Sequence, residues 1–208
     1  MSVDMTKWQE LAKKNIHNRP QGDGRLAGKV TIVTGAAQGF GKGIAEELYN
    51  EGATIIIADM NQELAESVAK EMGDRACAIA VNVADEDSVA DLVAKTVEKF
   101  GGLDIMVHVA GGSARIAGEG AKYVTLVEQE DYVIDRVLKV NLYGAMYVAR
   151  AVGRYMVEND VKGGRIISFS STVGLNGLKG CCDYGAAKAG VMAFTKSFAK
   201  ELAEYGIT

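Results

Sequence analysis

Short runs of consecutive apolar residues recur along this chain, and they limit it to few folds. The run Thr54-Ile-Ile-Ile-Ala58 is the clearest, because its apolar residues follow one another without alternating with polar ones. Such a run is typical of a strand that is covered on both faces, as in a parallel sheet. The predicted strands are residues 30–34, 54–58, 76–81, 104–109 and 165–170.

Longer stretches with helical periodicity separate these runs. In residues 85–100, an acidic capping residue, Asp85, precedes apolar residues spaced three and four apart, which predicts a helix with one apolar face. The other predicted helices are residues 40–50, 62–72, 129–159 and 183–205. Strand–helix alternation predicts an α/β fold of three layers, with a doubly wound parallel sheet between two layers of helices.

Length and composition favour one globular domain. The chain has 208 residues, of which 48% are hydrophobic and 24% are charged, and both fractions are near the globular average. Residues 1–28 precede the regular pattern and are expected to form an N-terminal extension and linker, with a weak helix at residues 5–16. This extension either packs on the surface or bridges subunits.

Charge and hydropathy argue against several classes of partner. The net charge is −4 and no run of Lys or Arg occurs, so we expect neither nucleic acid nor an anionic membrane surface to bind. The apolar runs are far shorter than the ~20 residues of a membrane helix. Cys77, Cys181 and Cys182 lack the spacing of a metal site and are expected to be free thiols. We therefore expect a cytoplasmic protein without a metal site.

The first predicted strand runs directly into a glycine-rich turn, residues 34–41. Glycine permits positive φ there, and its missing side chain lets a phosphate approach the N–H groups at a helix N-terminus. The spacing differs from the commoner G-x-G-x-x-G fingerprint, so the turn alone is weak evidence for a dinucleotide site. The alternative is that its glycines serve only the turn and close packing. The predicted cofactor contacts in this turn are Gly35, Gln38, Gly39, Phe40 and Gly41.

Asp59 ends the second predicted strand, where a carboxylate can accept hydrogen bonds from a ribose diol. It would repel a 2′-phosphate, and the following Met60 and Asn61 provide no positive charge to receive one. This favours NAD over NADP as the cofactor of a Rossmann-type sheet. A second role for Asp59 is to cap the next helix, and the two roles are compatible.

Tyr184 and Lys188 share one face of a predicted helix. A phenol is a poor base at neutral pH, but a nearby ammonium favours the phenolate, which can exchange a proton with an alcohol. The pair alone is a common chance pattern. It follows the fifth predicted strand, however, and therefore lies at the carboxyl edge, where such sheets bind ligands.

Together, these motifs make residues 26–208 resemble the short-chain dehydrogenase/reductase family. Residues 34–41 match the family's TGxxxGxG turn, and Tyr184 with Lys188 matches its Y-x-x-x-K motif. Ser171 matches the family's active-site serine, and Asn141 lies in a V-N-x-x-G stretch that matches its helix asparagine.

The resemblance implies a role for each of these residues. Tyr184 would be the general acid/base, and Ser171 would hydrogen bond to the substrate oxygen. Lys188 would bind the nicotinamide ribose and favour ionised Tyr184, while Asn141 would hold a water that links Lys188 to solvent. Without the family context, Ser171 would merely end a strand and Asn141 would bond to helix backbone. The resemblance also makes residues 29–208 a dinucleotide-binding and catalytic domain.

The sequence departs from the family pattern at three places. The family's N-N-A-G becomes His108-Val-Ala-Gly, so Ala110 and Gly111 keep the close approach to the cofactor while His108 is expected to serve as a structural hydrogen-bond donor. Asn82 and Val83 stand where an acidic residue usually meets the adenine, and the Asn82 oxygen can still accept that bond. The family continues past Thr208, so we expect an incomplete chain whose sheet lacks its last strand or strands. Residues 206–208 look like the opening of one.

The expected reaction is hydride transfer between NAD and a secondary alcohol or ketone of the polyol, sugar-acid or cyclic-alcohol type. The alternatives are a 3-oxoacyl-thioester reductase and a truncated nucleotide-binding protein without turnover. The resemblance also implies a homotetramer or homodimer built through the long helices. The residues expected to face the substrate pocket are Gly112, Ser113, Ala114, Arg115, Thr172, Val173, Gly174, Cys181 and Cys182.

Overall fold

A parallel β-sheet forms the centre of the computed structural model, which describes residues 24–113 and 124–208. Its strands are β1 (Val30–Thr34), β2 (Thr54–Asp59), β3 (Ala76–Ala80), β4 (Ile105–His108) and β5 (Arg165–Ser168). The five strands lie in the order β3-β2-β1-β4-β5 and all pairs are parallel. The predicted α/β fold is confirmed. The expected helix at residues 5–16 and the residues Ala114 and Arg115 lie outside the described residues.

Helices follow the strands in alternation, as the periodicity predicts. They are α1 (Gly39–Asn50), α2 (Gln62–Met72), α3 (Glu86–Phe100), α4 (Asp131–Leu138), α5 (Gly144–Glu158), α6 (Val173–Asn176) and α7 (Cys182–Leu202), with 3-10 turns at Leu126–Glu128 and Ala203–Tyr205. The predicted helix 129–159 is continuous from α4 to α5 through a π-helical segment, Lys139–Tyr143.

Both faces of the sheet are covered, which explains the consecutive apolar residues in its strands. Ile32, Ile56 and Met106 pack on one face with residues of α3, α5 and α7. Val33 and Ile57 pack on the opposite face with residues of α1 and α2. Because the chain winds in one direction from β1 to β3 and in the other from β4 to β5, a crevice opens at the carboxyl ends of β1 and β4.

Helix caps fix the ends of α2 and α3. The Asp85 side chain accepts from the N–H groups of Asp87 and Ser88, as its acidic position predicts. The cap of α2 is Asn61, whose side chain accepts from the Leu64 N–H at 3.0 Å. The expectation that Asp59 caps this helix was wrong, because Asp59 lies two residues before the capping position, which Asn61 occupies.

Residues at the end of the chain extend the sheet. The Thr208 N–H donates to the Gly164 carbonyl at 3.0 Å, and the Ile166 N–H donates to the Thr208 carbonyl at 2.8 Å. This is the alternating pattern of a parallel pair beside β5. Among residues 24–113 and 124–208, no helix has the length and apolar character needed to cross a membrane.

Candidate functional site

The glycine-rich turn brings the backbone of β1 close to the start of α1. Gly35 and Gly39 have φ of +66° and +58°, a conformation that side chains disfavour. A Cβ on Gly41 would lie 2.0 Å from the Gly35 carbonyl oxygen, and a Cβ on Gly35 would lie 2.9 Å from the backbone of Ala110. Gly39 has no atom within 4 Å of such a position. Close packing therefore explains Gly35 and Gly41, whereas Gly39 faces open space.

The first turn of α1 has neither a capping side chain nor an acidic residue. Its capping residue, Gln38, makes no side-chain cap hydrogen bond, and no acidic residue lies in that turn. By contrast, α2 and α3 each have a capping side chain and an acidic residue in the first turn. The N–H groups and the positive dipole end of α1 are therefore available to an anion.

Asp59 is held beside this turn by two backbone groups. One carboxylate oxygen accepts from the Ala37 N–H at 3.1 Å, and the other accepts from the Asn61 N–H at 3.0 Å. Phe40 and Met60 flank it and are 85% and 74% exposed, so two large apolar side chains stand at the surface beside one oriented carboxylate.

A cleft of about 700 Å³ runs along the carboxyl ends of the strands. It brings together most of the residues that the sequence predicts for a cofactor and a catalytic site. The residues that line it are Gly35, Gln38, Phe40, Gly41, Asp59, Met60, Val81, Val83, Val109, Ala110, Gly111, Gly112, Val140, Phe169, Ser170, Ser171, Tyr184 and Lys188.

Three of the residues predicted for the cofactor or the catalytic site are not part of this lining. Gly39 lies in the adjoining turn. Asn82 is exposed, and its side-chain oxygen accepts from the Ala84 N–H at 3.1 Å. Asn141 lies behind the wall of the cleft and is 1% exposed.

Lys188 places a buried ammonium at one end of the cleft. It is 4% exposed, and its Nζ donates to the Phe169 carbonyl at 2.9 Å. Burial lowers the pKa of Lys188 from 10.5 to about 8, because the charged form loses hydration. Its Nζ lies 5.7 Å from the ring centre of Tyr184. The Ser170 hydroxyl donates to the Lys188 carbonyl at 2.7 Å, which ties the segment after β5 to α7.

Ser171 and Tyr184 both line the cleft near Lys188. The Ser171 Oγ accepts from the Val173 N–H at 3.2 Å. The Tyr184 N–H donates to the carboxylate of Asp183 at 2.7 Å, and the other carboxylate oxygen accepts from Gln129 Nε2 at 2.7 Å. Sequence analysis missed Asp183 and Gln129. An acidic residue in the first turn of a helix was the available signal.

Asn141 connects the π-helical segment to the turn that follows β4. Its Nδ2 donates to the carbonyls of Val137 and Gly112, and its Oδ1 accepts from the Gly112 N–H at 2.9 Å. A Cβ on Gly111 would lie 2.6 Å from this Oδ1 and 3.3 Å from Lys188 Nζ. Asn141, Gly111 and Lys188 therefore meet at one point.

Several residues expected to face a substrate lie outside the lining of this cleft. Gly174 is packed against α7, where a Cβ would lie 2.7 Å from the Ala189 nitrogen. Cys181 is buried, and Cys182 and Thr172 are exposed. Among the described residues of this group, only Gly112 lines the cleft. The packing of α6 against α7 places Gly174 away from this cleft.

Sequence comparison gives relatives for nearly the whole described chain. A family model described as short chain dehydrogenase matches residues 29–208. Tropinone reductase-like 1 of Erythroxylum coca is 42% identical over 183 residues, which are 88% of this chain and 65% of that protein. The 3-oxoacyl-acyl-carrier-protein reductase of Thermotoga maritima is 37% identical over 182 residues, which are 86% of this chain and 70% of that reductase. The chain thus spans about two thirds of the length of these relatives.

Structural comparison agrees with the sequence relatives. A short chain dehydrogenase from Mycobacterium smegmatis, known from its crystal structure, is similar with a TM-score of 0.83 and 34% sequence identity. The similarity covers 91% of this chain and 78% of that one. The glycine-rich turn and the tyrosine–lysine pair lie within the residues that the family model matches. This chain belongs to the short-chain dehydrogenase family.

Proposed function

We propose that this chain catalyses the NAD-dependent interconversion of a secondary alcohol and a ketone of the polyol, sugar-acid or cyclic-alcohol type. The observation that carries the proposal is that Asp59, Ser171, Tyr184 and Lys188 line one cleft together with the glycine-rich turn. The relative named tropinone reductase-like supports a cyclic substrate, since tropinone is a cyclic ketone.

The residues of the cleft fit a nicotinamide dinucleotide. Gly35 and Gly41 allow a close-packed turn because they have no side chains, and the uncapped start of α1 suits a pyrophosphate. Asp59 would accept from ribose hydroxyls. The nicotinamide supplies or accepts the hydride when bound. The remaining residues assigned to the nucleotide are Gln38, Gly39, Phe40, Met60, Asn82, Val83, Ala110, Gly111, Tyr184 and Lys188.

The charge around Asp59 supports NAD over NADP. Both oxygens of its carboxylate are fixed by the N–H groups of Ala37 and Asn61, so the carboxylate cannot easily turn away from a 2′-phosphate. Among the described residues that line the cleft, Lys188 is the one with a positive side chain, and it belongs to the tyrosine–lysine pair. A 2′-phosphate beside Asp59 would therefore meet repulsion without a compensating cation.

The catalytic roles follow from the hydrogen-bonding capacity of each side chain. Tyr184 would exchange a proton with the oxygen of the alcohol or ketone, while the Ser171 hydroxyl would hydrogen bond to that oxygen. Lys188, with its pKa near 8, remains largely protonated at pH 7 and favours the ionised form of the nearby phenol. Asn141 anchors the turn beside Lys188 and would hold a water that links this lysine to solvent.

The test is a coupled measurement of nucleotide binding and turnover. The chain is incubated with NAD and a panel of secondary alcohols while the reduced nicotinamide is followed by absorbance. Tyr184→Phe should retain NAD binding and lose turnover by at least about a hundredfold. The matched control is Tyr132→Phe on α4, which removes a hydroxyl outside the cleft from a residue that is 64% exposed. Unchanged turnover in Tyr184→Phe would contradict the proposal, and binding without any turnover in the unsubstituted chain would favour a nucleotide-binding protein.

A 3-oxoacyl-thioester reductase is the second candidate. The 37% identity to the reductase of Thermotoga maritima favours it. Turnover of an acetoacetyl thioester with NADPH, but not of the alcohol panel with NAD, would select this function.

We further propose a homodimer or homotetramer that uses α5 and α7. Tyr143 and Met146 are 48% and 43% exposed near the start of α5, and the small residues Ala186 and Ala193 are exposed on α7. Small side chains allow close helix approach. Light scattering after size-exclusion chromatography tests this, and a monomer at micromolar concentration would contradict it.

A further inference from the structure

His108 is a buried ionisable residue that the proposed chemistry does not use. It ends β4 in register with Thr34 of β1, and it is 1% exposed. Its Nδ1 lies 2.9 Å from the Thr34 Oγ1. Its Nε2 has no hydrogen-bond partner among the described residues.

The hydrogen bonds of Thr34 indicate which nitrogen of His108 carries the proton. The Thr34 Oγ1 accepts from the Val109 N–H at 3.2 Å and from the Ala110 N–H at 3.3 Å. A hydroxyl has two lone pairs and one proton, so these bonds occupy both lone pairs, and the proton is left for His108 Nδ1. This bonding pattern assigns His108 as the acceptor at this contact, in the tautomer that carries its own proton on Nε2.

The neutral form of His108 is stable at neutral pH. Burial, which is the larger cause, and the positive charge of Lys188 together lower the pKa of His108 from 6.5 to about 3. The acceptor at Nδ1 is thus permanently available to Thr34 under physiological conditions.

The two N–H groups bound by Thr34 begin the turn that lines the cleft. Ala110 lies against Gly35, where a Cβ on that glycine would be 2.9 Å from the Ala110 nitrogen. Gly112 is held by the side chain of Asn141. Because this turn is packed between the glycine-rich turn and Asn141, a shift at Ala110 changes the shape of the cleft on both sides.

We propose that His108 is a positioning residue for nucleotide binding. By accepting the Thr34 proton, it directs both lone pairs of that hydroxyl to the N–H groups of Val109 and Ala110 and so fixes the turn after β4. This inference rests on the proposed function, because its readout is the affinity for a nicotinamide nucleotide. Asparagine offers an acceptor at the same δ position of the side chain, whereas leucine offers none.

The experiment compares His108→Leu, His108→Asn, Thr34→Val and the double variant with both Thr34→Val and His108→Leu. The Kd for NADH is measured by calorimetry, and KM and kcat are measured with a substrate from the alcohol panel. His108→Leu should weaken NADH binding about three- to tenfold, as expected for one lost hydrogen bond. The KM for NAD should rise while kcat stays within about twofold, and His108→Asn should restore the Kd to within about twofold of the unsubstituted chain.

The double variant separates positioning through Thr34 from a general loss of packing. If His108 acts through that hydroxyl, adding His108→Leu to Thr34→Val should change the Kd less than about twofold. Met106→Ala is the matched control, because Met106 is a fully buried residue of β4 on the same face of the sheet. It should lower thermal stability and leave the Kd unchanged.

Three results would overturn the inference: an unchanged Kd in His108→Leu, independent effects of the two substitutions, or a weakened Kd in Met106→Ala equal to that in His108→Leu. Should His108→Leu fail to fold, His108→Asn and His108→Gln carry the test. Glutamine moves the acceptor one bond further from the backbone and should bind NADH more weakly than asparagine, so equal affinities would contradict the role. If the unsubstituted chain binds neither NADH nor NADPH, the proposed function itself fails and this inference fails with it.

Discussion

Replacing Gly41 by alanine should damage the cleft through a single methyl group. The new Cβ would lie 2.0 Å from the Gly35 carbonyl oxygen, whereas carbon–oxygen contacts in proteins are normally at least about 3.3 Å. The turn would therefore have to open by more than about 1 Å. Gly35 cannot retreat freely, because its N–H is bound to the Ala58 carbonyl at 2.8 Å and its backbone lies against Ala110.

Two opposing contributions set the size of the effect. Overpacking costs about 1–3 kcal/mol, while alanine is favoured over glycine within a helix by about 1 kcal/mol. The matched control is Gly43→Ala in the same helix, since a Cβ at Gly43 meets no atom within 4 Å. That variant should gain about 0.5–1 kcal/mol from helix propensity alone.

The free energies of unfolding of the two variants should therefore differ by about 2 kcal/mol, which corresponds to roughly 4–8 °C in Tm for a chain of this size. Thermal unfolding measures the stability, and titration with NADH measures the binding, which should weaken at least about tenfold in Gly41→Ala alone. Equal Tm and equal NADH affinity in the two variants would refute the reasoning, because the contact with Gly35 would then be without consequence.

Three further predictions concern Lys188, Gln129 and Asp59. Because the pKa of Lys188 is about 8 in the folded chain and 10.5 otherwise, the unfolded state binds more protons between these values. The free energy of unfolding should thus rise with pH across that window, and urea titrations should show a smaller rise in Lys188→Met. Gln129→Leu removes the donor to the buried Asp183 carboxylate and should lower the free energy of unfolding by about 1–3 kcal/mol. An unchanged Tm would contradict this. Asp59→Ser should raise the ratio of NADP to NAD turnover at least about tenfold, and a constant ratio would exclude Asp59 from nucleotide choice.

The layers of the fold follow from local pattern. Consecutive apolar residues in β1 and β2 predict coverage on both faces, and Ile32 and Val33 indeed contact opposite layers. Each predicted strand is present, with ends that differ by at most two residues. The physical reason is that neighbouring residues determine which faces of a strand or helix are apolar and therefore become buried.

Local sequence pattern does not predict contacts between residues that are distant along the chain. Gln129 and Asp183 are separated by 54 positions, and Thr34 and His108 by 74, so their pairing depends on the complete packing of the sheet and helices. Helical periodicity also predicts a continuous helix across Asn141 without revealing the π-helical segment there. The close packing of α6 against α7 at Gly174 likewise depends on tertiary structure.

The central claim is that one cleft holds a nicotinamide nucleotide between Asp59 and the tyrosine–lysine pair. A crystal structure of the chain with NADH tests it most directly. The account predicts ribose hydroxyls bound to the Asp59 carboxylate and the reactive carbon of the nicotinamide facing the Tyr184 hydroxyl. A nucleotide bound with its nicotinamide away from Tyr184, or at a site outside this cleft, would contradict it.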